Sequence, residues 1–305
     1  MDAAMIHHVF ANRSNIGDWL SARGIQALLG DAEIVEHLCD EPFAPATLAA
    51  LAQAGPNDLI VIGGGGLFMD YFTPFWEGFR AIADHAPFCI WGVGYCDLKR
   101  EPSRAPQALL AAIAGKSRLC IVRDELTRRH LSSCNLSPPV PCPSINAVQA
   151  PAVPGFGLLH VDNYTTAGAD VYTAMDAAGR GFAKATGRPY RQTNNRIDSG
   201  NAAELARTLH LYASSDLVLS SALHGCILAV AMGRKVLAVS GDYKIEAFMQ
   251  SAGLGEWVCD IDDVAVIPSA LSALAGQNWP GEFIQQARAA NQAVARTVLA
   301  LARGV

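Results

Sequence analysis

The chain has 305 residues, 51% of them hydrophobic and 17% charged, with a net charge of −5. That is enough apolar material for two domains with ordinary cores, and it excludes a disordered or low-complexity protein. The acidic balance and scattered basic residues argue against a nucleic-acid binder and leave room only for a local basic pocket. The eight cysteines show no C-x-x-C spacing and mostly sit in apolar runs, as Cys89 and Cys120 do. They read as reduced core residues, not a disulfide frame, and no metal site is expected. The opening MDAAMIHHVF is acidic at once and then strand-like, unlike a secretory leader. No apolar run is long enough to span a bilayer, so a cytoplasmic location is the default expectation.

In chain order, short apolar runs alternate with stretches of helical period. Strands are predicted at 5–10, 33–38, 58–63, 88–94 and 118–123, with helices between several of them, as in GDWLSARGIQALL and APQALLAAIAG. Strand then helix, repeated, predicts a parallel sheet with helices on both faces. Residues 136–155 hold six prolines and no helical period, and read as an inter-domain linker. The alternation then resumes, with strands at 156–161, 216–220, 235–240 and 257–261 and helices at 166–186, 202–214, 223–232, 244–252 and 266–275. The expected division is a first Rossmann-like domain over 1–145, a second over 146–280, and a C-terminal amphipathic helix in 281–305 that packs back on the first. A cleft between two doubly wound halves, at the carboxyl ends of their strands, is the default place for an active site.

Several motifs fall on that cleft. Asn15-Ile16-Gly17-Asp18 lies between the first strand and first helix. Gly17 suits a tight turn and Asp18 suits a helix cap, and the same junction can present amides and a carboxylate to a ligand hydroxyl. Gly63-Gly64-Gly65-Gly66 follows the strand DLIVI. A turn needs one or two glycines, so four point to a close approach of a ligand or another domain. The run lacks the Lys-Ser/Thr of a P-loop and fits G-x-G-x-x-G poorly. Gly92-Val93-Gly94 is explained by a turn. Arg123 ends a strand and reads equally as a structural ion pair or an anion ligand. His160 ends the first strand of the second half, where it is a loop histidine or a cleft group. His224, in SSALHGCILAV, stands in the first turn of a helix that Ser220 and Ser221 can cap. There it is either a satisfied core histidine or a neutral imidazole beside a bound anion, poised to move a proton. Lys244 starts the next helix, either solvated or facing the same anion.

In this order and spacing, Asn15-x-Gly17-Asp18, GGGGLF at 63–68, Gly92-x-Gly94, Arg123-Asp124-Glu125 and SSALHGCILAVAMGRKVLAVSGDYKIEAFMQSAGL make the chain resemble the polysaccharide pyruvyltransferase family. The resemblance runs from about residue 12 to about residue 254 and implies a GT-B-like fold of two Rossmann-like domains facing across a cleft. It implies transfer of pyruvate from phosphoenolpyruvate to sugar hydroxyls as a ketal, with no cofactor beyond that donor. The acceptor is then a saccharide, with a lipid-linked carrier and peripheral membrane contact left open. His224 becomes the acid/base group with Asp18 as its catalytic partner. Ser221, Gly225, Lys244, Arg123 and His160 fall on the donor side, and Asn15, Gly17, Gly64 and Gly65 on the acceptor side. The family usually carries arginine before Leu-His-Gly, where this sequence has Ala222. The donor's charge then falls to another cation, among Arg123, Arg196, Arg234 and Lys244. The architecture also admits a nucleotide-sugar glycosyltransferase, or a sugar-binding protein without catalysis.

Overall fold

The computed structural model describes residues 5–134, 136–197, 201–279 and 281–304, with 164–167 as backbone only. The first half runs β1 (Ile6–Phe10), α1 (Ile16–Leu29), β2 (Ile34–Leu38), α2 (Ala44–Leu51), β3 (Leu59–Phe68), α3 (Thr73–Ile82), β4 (Phe88–Tyr95), α4 (Gln107–Ala114), β5 (Leu119–Val122) and α5 (Glu125–His130). A short α6 (Ser144–Ala147) interrupts the proline-rich segment. The second half runs β6 (Leu158–Val161), α7 (Tyr164–Thr186), β7 (Tyr190–Thr193), α8 (Ala202–Ala213), β8 (Leu217–Ser220), α9 (Leu223–Ala231), β9 (Lys235–Ser240), α10 (Tyr243–Ser251), β10 (Val258–Asp260), α11 (Ile267–Ala275) and α12 (Glu282–Ala302).

The two sheets are parallel and share one topology. Their orders are β2-β1-β3-β4-β5 and β10-β9-β8-β6-β7. In each, the first strand of the half has its sequence neighbour on one side and its third strand on the other. That reversal opens a crevice at the carboxyl ends, between β1 and β3 in one sheet and between β6 and β8 in the other. Central strands are apolar along their whole length because helices cover both faces; every residue of β4 is buried. One face of the first sheet packs Phe68, Phe75, Trp76, Phe79 and Phe88 under α2–α4. The other face packs Val61 and Trp91 against Ile25 and Leu29 of α1. No described helix is long and apolar enough to cross a membrane.

The expected elements recur within two residues, with instructive exceptions. The glycine run is not a turn after β3: it continues the strand to Phe68. Gly64 and Gly65 sit at φ +93° and +98°, which side-chain-bearing residues rarely adopt. The strand β7, of sequence YRQT, was missed because it is a polar edge strand with no apolar run to mark it. The proline-rich segment is not a peripheral tether. Cys142, Ser144 and Ile145 are buried, and the carbonyl of Pro143 lies 2.0 Å from where a Cβ on Gly24 would stand. α12 bridges the halves. Its Val294, Ala295 and Val298 join the core of Ile6, Ile25 and Trp91, while Ile284 and Ala287 join that of the second half. Asn291 fixes it: Oδ1 accepts from Trp91 Nε1 at 3.0 Å, and Nδ2 donates to the carbonyl of Pro141 at 2.9 Å.

Candidate active site

The carboxyl ends of the two sheets meet. Asn15, after β1, forms an antiparallel bridge with Arg196, after β7, and Leu98, after β4, bridges Asp242, after β9. Between these seams lie both crevices, and with them Asp18, the β3 glycines and His224.

Local chemistry frees Asp18 for this position. It was expected to cap α1, but the cap is Asn15, whose Oδ1 accepts from Gly17 N at 2.9 Å. Asp18 follows in the first turn, and its Oδ1 lies 2.3 Å from where a Cβ on Gly65 would be. A second correction concerns α9. Its N-cap is Ala222, with no side-chain cap. Ser220 Oγ instead accepts from the amide of Ala222 at 3.1 Å, and Ser221 Oγ accepts from the amide of Asn163 at 2.8 Å. His224 then leans across the seam onto α1. Its Nδ1 lies 1.9 Å from where a Cβ on Gly17 would stand, and its Nε2 faces Ser21 Oγ at 3.5 Å and Cys142 Sγ at 3.6 Å.

Glycines likewise make room for a cation. Arg123, at the end of β5, is buried, with its Nε 1.9 Å from where a Cβ on Gly94 would be. That Nε donates to Asp124 Oδ2 at 3.2 Å, while the buried Nη2 has no partner among the described residues. An orphaned guanidinium N–H is costly unless a ligand meets it. Opposite stands Lys244 in the first turn of α10, its Nζ 2.5 Å from Asp242 Oδ2 and 3.1 Å from Cys96 Sγ. Cys96 Sγ and Arg123 Nη2 both border the space over Gly66, at 2.7 and 3.8 Å from its Cβ position.

These groups tune one another. Burial pushes the Asp18 carboxyl up to about 7, against the opposing pull of Arg123 and Lys244. Burial, followed by the same two cations, drives His224 down to about 3. Burial works against the charge on Lys244, but Cys96 and Asp242 outweigh it and its pKa is raised. Near neutrality the site therefore holds a carboxyl at its titration point, a neutral imidazole and two cations, Arg123 buried and Lys244 half-buried. Acid and base assignments are read from such divergent pairs.

The structure thus brings together Gly17, Asp18, Gly65, Arg123, His224 and Lys244, with Gly64 behind them against Ser21. Asn15 lies at the seam. Ser221 and Gly225 act locally, since a Cβ on Gly225 would meet Ser220 Oγ at 2.1 Å. His160 is not in the cluster. It turns under α7, where Nδ1 pairs with Tyr190 Oη at 2.8 Å and the ring stacks on Tyr172. Arg234 donates to the carbonyl of Ala213, and Arg196 is exposed at the seam. Ser21, Cys96 and Cys142 went unnoticed. Ser21 is four residues after Gly17, on the same helix face, which is a readable signal; Cys142, inside the proline-rich segment, gave none. A groove of about 1690 Å³ lies at the opposite ends of the strands, lined by Pro56, Asp58, Lys116, Arg118 and Arg303.

The chain is similar to one protein family and to several solved folds. The family described as polysaccharide pyruvyl transferase matches residues 14–243. No curated protein sequence matches the chain. Among solved structures, the UDP-GlcNAc 2-epimerase from Neisseria meningitidis bound to UDP-GlcNAc is similar with TM-score 0.61 at 12% identity, covering 97% of this chain and 99% of that one. The glycotransferase of kitacinnamycin gives 0.56 at 11% identity, covering 99% of each chain. An uncharacterized protein from Klebsiella pneumoniae gives 0.53 at 15% identity, covering 85% of this chain and 92% of that one. At these identities the likeness is one of fold, a GT-B-like pair of α/β domains.

Proposed function

Because the chain belongs to the polysaccharide pyruvyl transferase family, we propose that it moves the pyruvyl group of phosphoenolpyruvate onto two hydroxyls of a saccharide, closing a pyruvate ketal. The observation that carries the reading is the buried, partnerless Nη2 of Arg123 facing the same space as Lys244, beside a carboxyl and an imidazole of divergent acidity. Phosphoenolpyruvate brings a carboxylate and a phosphate, and two cations, buried Arg123 and half-buried Lys244, answer them. Arg123 so takes the duty of the arginine that Ala222 replaces. The cations come from both halves, so the donor lies along the seam at the β5–β9 end. The acceptor enters from the Asn15 side.

The protons balance. Asp18 gives its proton to C3 of the enol, and positive charge develops at C2. A saccharide hydroxyl attacks C2, and its proton passes to His224. The C2–O bond to phosphate breaks, phosphate leaves with the proton held by His224, and a second hydroxyl closes the ketal and returns a proton to Asp18. Arg123 and Lys244 stabilise the leaving phosphate, a contribution largest in a water-poor site. General acid–base assistance supplies roughly 100- to 10,000-fold. The scheme needs no cofactor.

The test is mass spectrometry of a panel of glycans incubated with phosphoenolpyruvate. A pyruvyl ketal appearing with equimolar phosphate supports the reading. Glycosyl transfer from a nucleotide-sugar, with no use of phosphoenolpyruvate, would replace it with the glycosyltransferase reading. Saccharide binding without turnover of either donor would replace it with a binding role.

A further inference from the structure

The ring of His224 has two nitrogens, and the reaction above needs the one facing the cleft to accept a proton. Nδ1 lies against Gly17 and has no partner among the described residues. Nε2 is aimed at two side chains from the other half and the crossover, Ser21 Oγ at 3.5 Å and Cys142 Sγ at 3.6 Å. These two touch each other at 3.0 Å, and Ser144 Oγ donates to the same sulfur at 3.2 Å. Ser21, Ser144 and Cys142 are all buried, so the arrangement is fixed by packing.

Three considerations place the ring proton. Neutral histidine in water already favours Nε2–H. Nε2 faces a hydroxyl and a thiol, each able to accept, and the partner of one ring nitrogen decides the tautomer. Among the described residues none accepts from Nδ1, so a proton there would have no protein partner. We propose that Ser21 and Cys142 are positioning residues. They hold His224 as the Nε2–H tautomer, so that the Nδ1 lone pair faces the cleft as the base. The crossover segment thereby supplies part of the catalytic machinery.

The effect on turnover rests on the pyruvyl-transfer reading, but the tautomer does not, and the test separates them. Nitrogen-15 NMR of the labelled full-length protein reads the tautomer of His224 directly, with His224→Gln assigning its signals. The expected result is a protonated Nε2 and a pyridine-like Nδ1 in the unmodified protein. In Ser21→Ala/Cys142→Ala, the signals should average between tautomers, while the melting temperature in the absence of ligand stays near that of the parent. Ser21→Ala/Cys142→Ser, which keeps one acceptor, should restore the fixed tautomer. With phosphoenolpyruvate and an accepting glycan, kcat should fall at least tenfold in the double alanine variant at little-changed KM and recover in the serine variant. Nδ1–H in the unmodified protein overturns the proposal, as does an unchanged tautomer in the double alanine variant. If no glycan is pyruvylated, the reaction reading fails and the NMR result still decides this one.

Discussion

His224 and Gly17 share one space: the Nδ1 of the imidazole lies 1.9 Å from the point where any side chain on residue 17 would begin. Alanine at a helical glycine ordinarily gains about 1 kcal/mol of helix stability. Here it drives the ring off α1 and away from Ser21. Gly17→Ala is expected to cut transfer at least ~100-fold, since small displacements of a reacting group cost about that much. Its melting temperature should fail to rise. Near-normal turnover would show that His224 does not work from this position.

Arg123 is predicted to hold the donor. Arg123→Gln should raise KM for phosphoenolpyruvate at least ~tenfold, because a charge-assisted hydrogen bond is worth about 1.5–3 kcal/mol. KM for the glycan should be little changed. Arg123→Lys should recover only part, as the ammonium lacks the planar fork. Initial-rate measurements of phosphate release check this, and an unchanged KM removes Arg123 from the donor site.

The pH dependence of the rate has a defined sign. In the proposed mechanism Asp18 delivers a proton and must be protonated, so kcat/KM should fall as pH rises through about 7. Arg123 and Lys244 hold that pKa down, and a bound anionic donor offsets them. The falling limb of kcat should then lie at higher pH than that of kcat/KM. Asp18→Asn should lose the limb together with most of the activity. The same offset should raise the pKa of His224, which NMR titration with and without inorganic phosphate would read.

Stability should respond to acid. The pKa of His224 is about 3 in the fold against 6.5 unperturbed, so below pH 6.5 the unfolded chain binds a proton that the fold refuses. The stability from its neutral, buried ring is present above 6.5 and is lost as pH falls toward the folded value, at about 1.4 kcal/mol per unit. His8 and His160, both lowered to about 4, act in the same direction. Urea denaturation of His224→Gln should show a shallower decline between pH 6.5 and 4.5 than the parent.

Asn291 is fully buried and serves three groups: Trp91 Nε1 and the carbonyls of Pro141 and Ala287. Asn291→Ala leaves a buried indole N–H and a crossover carbonyl unpaired, at a cost of about 2–4 kcal/mol. Chemical denaturation measures it. A loss below about 0.5 kcal/mol would show that α12 is held by its apolar face alone.

Much of the fold was legible because parallel strands buried on both faces announce themselves as apolar runs, as β4 and β9 do. The edge strand β7 was not, since half-exposed Arg191 and Gln192 carry no such signal. The site divided along similar lines. Gly17, Asp18 and His224 stood at strand-to-helix junctions, where chemistry is expected. The duties of the caps were misread: Asn15 and Ala222 hold the cap positions expected of Asp18 and the serines, because cap choice depends on backbone angles that composition does not reveal. Cys142 reaches His224 from 82 residues away in sequence, and no local pattern reports a contact of that kind.

The crossover between the halves also bears on when the enzyme can act. Pro143 is wedged under Gly92 and against Gly24, while Cys142, Ile145 and Val148 join the core of the second half, so the crossover is clamped between the two. If the halves swing apart, His224 leaves Gly17 and Ser21, and Lys244 parts from Cys96. An open form would then have neither the proposed base in place nor the two cations together. Under the proposed chemistry, charge at C2 would develop only with the seam shut, when the hydroxyl nearest to it belongs to the sugar and not to water.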